Sequence, residues 1–329
     1  MHKVELKVAT GYGGSRTIAM TAYLPNSRAA SGCVIFASPG GGYSRGYYDM
    51  HFPGHEGYSQ AAHHVEMGHV FVAYDHLGVG ESSLDDLASL TIEDIAAHNH
   101  QAVAKVADQI RKGDLCREFP ALPRAVMIGI GQSMGGGVSI IMQGRHRSFD
   151  AIGVLGYSAV HTVLPQRTQT EVEQGAAMYD YSRDTDSRTL SVERSSAGVS
   201  DFVYPFHWED VAPDILEADM SGGYPIRRTA PPFGSLTIPN CVVAMMSPGF
   251  VATEAAAVDV PIFLGFGERD TSQDVHREAA AFPNARDISL FVVPRMAHMH
   301  NFASTRRLLW DRLSEWSGMV ANATRSKEL

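Results

Sequence analysis

The feature that most constrains this chain is the stretch Ala125-Val-Met-Ile-Gly-Ile-Gly-Gln-Ser-Met-Gly-Gly-Gly137, an apolar run that breaks into glycines around one serine and resumes as Val138-Ser-Ile-Ile-Met142. A short apolar run without polar alternation reads as a strand covered on both faces. The glycines then demand a tight turn, and the renewed apolar residues read as a helix leaving at once. Gly131-Gln132-Ser133-Met134-Gly135 fits G-x-S-x-G, where the serine occupies a strained strand-to-helix turn and its hydroxyl stands clear of the backbone. Such a turn brings the residues two before and two after the serine together, so a side chain at Gly131 or Gly135 would clash. The helix that follows aims its free N–H groups and positive dipole end at any oxyanion forming there. A second match, Gly42-Tyr43-Ser44-Arg45-Gly46, follows three glycines instead of a strand, and no apolar helix begins after it. Context favours Ser133.

With 329 residues, 44% of them hydrophobic and 19% charged, the chain can build one large globular domain or two small ones. A net charge of −9 without a Lys/Arg cluster argues against nucleic acid or an anionic membrane as the main partner. The start, Met1-His-Lys-Val-Glu-Leu-Lys-Val8, alternates charged and apolar residues and does not read as a signal peptide. No apolar run reaches spanning length, so no membrane helix is expected. Cys33, Cys116 and Cys241 are few, odd in number and far apart, as expected of free, buried thiols in a reducing, cytoplasmic setting.

Residues 1 to 24 read as an edge hairpin around the turn Gly11-Tyr-Gly-Gly14. Cys33 to Ala37 and His69 to Tyr74 read as buried parallel strands, with a helix between Gly57 and Met67. Asp75, opening the segment Asp75-His-Leu-Gly-Val-Gly-Glu-Ser-Ser83, is expected to tie down its own loop. Thr91-Ile-Glu-Asp94 reads as a capping box opening a helix to about Lys112. Ala151 to Leu155 follows the Ser133 helix as another strand. Repeated strand–helix alternation calls for a parallel sheet with helices on both faces, an α/β fold.

Periodicity then fails from residue 159 to about 256. Charge-rich Ser182 to Arg188 and Gly/Pro-rich stretches mix there with Tyr179, Tyr181, Phe202, Tyr204, Phe206, Trp208, Tyr224 and Phe233. This segment is expected to be an inserted lid whose aromatics form its own core and wall an apolar substrate pocket. Alternation returns with Val260 to Gly265, a helix from Asp274 to Ala281, the strand Ile288 to Val293 and a final helix from about Thr305 to Val320. The polar tail from Ala321 to Leu329 is expected to fray.

A serine hydroxyl needs an imidazole to remove its proton, and the imidazole needs an acid to fix its tautomer. The loop after Leu155 holds no carboxylate. Gly267-Glu-Arg-Asp270 offers two, of which Asp270 can reach further across the strand ends than Glu268. Beyond it lie His276, within an expected helix, and His298 and His300, two apart after the last strand. One of that pair is expected to face in and the other to face away or cap the next helix, and His298 is taken as the base. The order Ser133, Asp270, His298 is that of one architecture in particular.

Ser38-Pro-Gly-Gly-Gly42, Asp75-x-x-Gly-x-Gly-x-Ser82, Gly131-x-Ser-x-Gly135, Gly267-x-x-Asp270 and His298 before the last helix together resemble an α/β-hydrolase fold protein of the serine esterase or lipase kind. The resemblance covers residues 30 to 158 and 257 to 320. It implies a mostly parallel sheet, a core of residues 1–158 and 257–329, and a cap of residues 159–256 after the sixth strand. It also implies an oxyanion hole from the backbone N–H groups of Met134 and Gly41, with Gly40, Gly42, Tyr43 and Gln132 at the substrate. Ser38-Pro39 stands where many members carry His-Gly.

Gly129-x-Gly131-x-x-Met134 lacks the third glycine of a dinucleotide fingerprint, no P-loop is present, and no H-E-x-x-H marks a metal site. Neither cofactor nor metal is expected. Ser133 argues against dehalogenase or epoxide hydrolase chemistry, which resembles members with an aspartate nucleophile. The expected reaction is hydrolysis of a small, apolar carboxylic ester. Lactone, thioester, amide or C–C cleavage, acyl transfer, a binding module that lost catalysis, and self-association are left open.

Overall fold

The computed structural model describes residues 1–11, 15–26, 31–84, 87–178 and 191–326. In β1 (His2–Thr10), Lys3, Glu5 and Lys7 face solvent while Val4, Leu6 and Val8 turn inward. A charged outer face on an edge strand discourages pairing with another chain. β1 pairs antiparallel with β2 (Arg16–Leu24), the expected hairpin; its turn falls at residues 12–14, outside the described residues.

The next four strands, β3 (Cys33–Ser38), β4 (Val70–Tyr74), β5 (Val126–Gln132) and β6 (Ala151–Leu155), are buried at every residue. β7 (Ile262–Arg269) and β8 (Ile288–Ala297) complete a sheet of order β1-β2-β4-β3-β5-β6-β7-β8. β2 meets β4 antiparallel, and every pairing from β4 through β8 is parallel. The helices are α1 (Gln60–Glu66), α2 (Ile92–Lys112), α3 (Met134–His146), α4 (Gln169–Met178), α5 (Val192–Ser196), α6 (Val203–Phe206), α7 (Pro213–Met220), α8 (Ala252–Ala257) and α9 (Arg306–Ser326).

Side chains alternate across the sheet and so feed two cores. Val34 and Phe36 of β3 join Val103 and Val106 of α2 and Ile140 of α3 on one face. Ile35, Ala37, Ile128 and Ile130 join Ala61 of α1 and Leu309, Trp310 and Leu313 of α9 on the other. The connection through α1 carries the chain from β3 to one neighbour, and the connection through α2 returns it to the other, β5. Where connections part in this way, a crevice opens at the carboxyl ends of the strands. The glycine loop after β3 and Ser133 after β5 both stand there.

Local signals act as expected at several points. Thr91 Oγ1 accepts from the Asp94 N–H at 3.1 Å and Asp94 accepts in return, a complete capping box. Asp75 is fully buried and accepts from the Arg45 and Glu81 N–H groups and from the Arg45 guanidinium, binding its own loop to the earlier segment that carries Arg45. Burial pushes the Asp75 carboxyl up, against the opposing pull of Arg45.

Several boundaries differ from expectation, among them β7, expected over Val260 to Gly265 and found at Ile262–Arg269. The first helix starts at Gln60 because Ser59 caps it, its Oγ accepting from the Ala62 N–H. Residues Val275–Ala281 form a 3-10 helix. β8 runs on through Pro294, since an edge strand loses nothing by lacking an outward N–H. The last helix continues to Ser326 instead of fraying from Ala321, held by the Arg325 guanidinium on the Ser31 carbonyl at 2.6 Å; Lys327 to Leu329 lie outside the described residues.

Between β6 and β7 the described residues form short helices and no strand. Phe202, Phe206 and Tyr224 pack against one another there, with ring centroids 4.9 to 5.6 Å apart. Tyr179, Tyr181 and the charge-rich 182–188 stretch lie outside the described residues. Among the described residues, no helix is long and apolar enough to cross a membrane.

Candidate active site

Ser133 sits between β5 and α3 at φ 52°, ψ −121°, a backbone region that a non-glycine residue rarely occupies. A Cβ on Gly131 would fall inside the Gly135 carbonyl, and one on Gly135 would strike the Ser38 carbonyl, which is why both positions lack side chains. The Ser133 carbonyl is taken by the Gly136 and Gly137 N–H groups, while the Met134 N–H donates to no acceptor among the described residues. Ser44, in the second G-x-S-x-G, instead caps the short 3-10 helix Arg45–Tyr48.

His298 Nε2 lies 2.8 Å from Ser133 Oγ, and His298 Nδ1 lies 2.7 Å from Asp270 Oδ1. Asp270 is held well below the usual carboxylate range: burial would push it up, but the His300 and His298 imidazoles outweigh burial. An ionised acceptor on Nδ1 places the His298 proton there, leaving Nε2 as the lone pair facing the serine hydroxyl. Gly156, at φ +61°, makes room for this pair. A Cβ there would approach His298 Nδ1 to 3.1 Å and both Asp270 oxygens to 3.2 Å. The position without a carboxylate in the sequence is the space that Asp270 fills.

Glu268, the other acid considered, accepts from the Arg295 N–H at the bulge where β8 carries extra residues opposite β7. His276 is exposed on its 3-10 helix. His300 corrects the expectation that one of the two neighbouring histidines faces away or caps the next helix: its Nε2 lies 2.7 Å from Asp270 Oδ2. Strand alternation no longer applies past Ala297, because His300 opens a 3-10 turn that swings its ring back to the carboxylate.

The loop that carries His298 is held by α6, Tyr47 and Trp310. The His298 and Met299 N–H groups donate to the Pro205 and Phe206 carbonyls of α6 at 3.0 and 2.9 Å. Asn301 bonds Tyr47 and accepts from the Trp310 indole N–H.

The glycine loop carries Gly41 to the same place. Gly41, Ser133, Met134 and His298 form the polar end of a cavity of about 690 Å³, its open mouth included. Leu164, Val192, Phe202, Phe206, Ile238, Val243, Met245 and Met246 make the remaining wall predominantly apolar. The other four residues expected at the substrate stand behind that wall. Gln132 Nε2 donates to the His298 carbonyl, and Gly40 packs against the Gln132 and Ser133 side chains. Gly42 gives its carbonyl to Arg227 Nε at 3.2 Å, and Tyr43 is fully buried with its hydroxyl on Asp219 at 2.8 Å. Gln132 and Tyr43 spend their polar groups on these bonds, and none of the four lines the cavity.

Sequence reading missed this second polar cluster. Asp219 takes hydrogen bonds from Tyr43, from His207 at 2.8 Å and from Arg227 at 2.8 Å, all of them buried, and the Arg227 guanidinium also bonds the Asp219 carbonyl. Tyr224 adds a hydrogen bond from its hydroxyl to the Gly41 carbonyl at 3.0 Å. Together these residues tie the segment between β6 and β7 to the glycine loop. Nothing in residue spacing announces contacts between positions so far apart.

No protein-family model matches the sequence, and no curated protein matches it. Solved structures do. A soluble variant of monoglyceride lipase from Saccharomyces cerevisiae superposes with a TM-score of 0.64 at 13% identity, over 96% of this chain and 94% of that one. A thermostable carboxyl esterase from Bacillus coagulans gives 0.62 at 17% identity over 98% of each chain, and a haloalkane dehalogenase variant from Bradyrhizobium elkanii gives 0.63 at 12% over 99% and 100%. Likeness at such identity speaks for architecture and not for chemistry. With its eight-stranded order, its strand–serine–helix turn and this agreement along the whole chain, the protein has the α/β-hydrolase fold.

Proposed function

We propose that the protein hydrolyses carboxylic esters with an apolar acyl group, Ser133 serving as nucleophile, His298 as general base and acid, and Asp270 as the acid that orients the base. The observation that carries this reading is the relay from Ser133 Oγ through His298 to Asp270, with steps of 2.8 and 2.7 Å. As Oγ attacks the ester carbonyl carbon, its proton passes to His298 Nε2, and the imidazolium is stabilised by Asp270. The carbonyl oxygen becomes an oxyanion received by the N–H groups of Met134 and Gly41, reinforced by the positive end of α3. Collapse expels the alkoxide, which takes the proton from His298. Water, deprotonated in turn by His298, then attacks the acyl-enzyme and releases the acid.

The apolar wall of the cavity supports an apolar acyl group, since a charged one would lose its hydration there without a partner. Residues 159–256 act in this reading as a cap on a core of residues 1–158 and 257–329. The unpaired thiols, Cys33 and Cys241 buried as expected and Cys116 only half-buried, support a reducing, cytoplasmic setting.

Intact mass after treatment with a fluorophosphonate probe tests the assignment. One adduct on the wild type and none on Ser133→Ala is expected, with p-nitrophenyl ester turnover falling by about 10⁴-fold or more in the variant. Undiminished turnover in Ser133→Ala refutes the assignment.

A further inference from the structure

Asp270 holds one histidine more than a serine–histidine–aspartate relay uses. Its Oδ1 accepts from His298 Nδ1 at 2.7 Å and from the Thr271 N–H at 2.8 Å. Its Oδ2 accepts from His300 Nε2 at 2.7 Å and from the Gly267 N–H at 2.9 Å. A carboxylate offers about four lone-pair sites, so these four donors saturate it.

His300 is buried, and its Nδ1 has no hydrogen-bond partner among the described residues. Nε2 must carry the ring proton, because it faces an oxygen that only accepts. His300 is thus an N–H donor to Asp270.

A hydrogen bond to an ionised carboxylate stabilises that charge and leaves less of it to stabilise a proton elsewhere. His300 bonds the oxygen that His298 does not use. We propose that His300 is a positioning residue that sets the basicity of His298: by sharing Asp270, it keeps His298 a weaker base than an unshared Asp–His pair would be, and so keeps Nε2 free for the serine proton in more acidic solution. The proposal rests on the serine-hydrolase reading of Ser133, His298 and Asp270.

Other charged or titratable groups are spoken for. Tyr47, behind the base loop, accepts from the Asn301 N–H, and Glu278 binds Ser158 and Ser272. His207, across Phe302, is bonded to Asp219, which also holds Arg227, and Arg269 is paired with Glu209. His300 is therefore the side chain besides His298 that bears directly on Asp270 among the described residues.

The test is the pH profile of kcat/KM on a p-nitrophenyl ester, whose acid limb reports the free enzyme's base. His300→Phe removes the donor, and the acid-limb midpoint is expected to rise by about half to one pH unit. His300→Asn, too short to reach Oδ2, should rise likewise, while His300→Gln, whose amide nitrogen stands near the place of Nε2, should return the midpoint toward wild type. A role confined to packing would change the plateau and the melting temperature but not order the midpoints in this way. A midpoint that stays in place, or falls, in both the Phe and Asn variants overturns the proposal. Should His300→Phe not fold, the Asn and Gln variants carry the same comparison.

Failure of the serine-hydrolase reading is distinguishable, because it would show as a wild type that neither hydrolyses esters nor takes a fluorophosphonate adduct. In that event an NMR titration of the His298 ring in wild type and His300→Asn decides: a higher midpoint in the variant supports the proposal, and equal midpoints overturn it.

Discussion

Replacing Gly156 by alanine probes how closely the site is fitted. Gly156 lies at φ +61°, where an alanine costs roughly 1–2 kcal/mol. The added Cβ would stand 3.1 Å from His298 Nδ1 and 3.2 Å from both Asp270 oxygens, so those atoms must yield by a few tenths of an ångström. Asp270 has little room to yield, because its oxygens are tied to Gly267, Thr271, His298 and His300. Misplacing a catalytic group by about 1 Å costs on the order of 10²-fold, so a few tenths correspond to roughly three- to tenfold in kcat/KM. The strain, with the crowding added, should lower stability by about 1–3 kcal/mol, or roughly 1–4 °C in a chain of this size. Ester kinetics and a thermal melt read both effects. Gly318→Ala in α9 is the control, since its Cβ meets nothing within 4 Å and helix propensity should raise stability by about 0.5–1 kcal/mol. A Gly156→Ala protein that melts and turns over like wild type would refute the fit described for Asp270 and His298.

Two further outcomes are expected. Tyr224→Phe removes the hydroxyl that holds the Gly41 carbonyl and should lower kcat by about tenfold with KM little changed, as loss of an orienting partner commonly does; steady-state kinetics showing a change confined to KM would count against Gly41 as an oxyanion donor. Asp270 has its folded-state pKa depressed below the unfolded value, so its contribution is complete above the unfolded carboxylate value of about 4 and is lost progressively as pH falls below it. The stability gap between wild type and Asp270→Asn in denaturant unfolding should therefore be widest near neutrality and narrow from about pH 4 downward. A gap of constant size down to about pH 3 would contradict the assigned charge state.

The strands and the serine turn were legible because they rest on local rules. Unbroken apolar runs such as Val126 to Ile130 must be covered on both faces, and glycines two either side of Ser133 have few other uses. Asp270 and His298 were reachable from chain order because strand ends converge on one edge of the sheet. His300 was misread because period-two alternation was carried past the end of β8 into a 3-10 turn. Pro294 hid the last residues of that strand, whose place at the sheet edge made the proline harmless. The anchoring of the glycine loop by Tyr224, Arg227 and Asp219 left no trace in the sequence. It depends on hydrogen bonds between residues 41–43 and 219–227, and neither segment has a periodicity that points to the other.

Those hydrogen bonds bear on what can be exchanged between proteins of this architecture. The segment between β6 and β7 receives the His298 and Met299 N–H groups through α6 and holds the Gly41 and Gly42 carbonyls through Tyr224 and Arg227. Excising it to obtain a minimal core, or grafting another protein's segment in its place, would strip the supports from the His298 loop and the glycine loop together and leave the buried Tyr43 hydroxyl without its acceptor. If the proposed ester hydrolysis holds, selectivity is more safely re-engineered one side chain at a time along the apolar wall, at Val192, Ile238 or Met246, than by trading the segment whole.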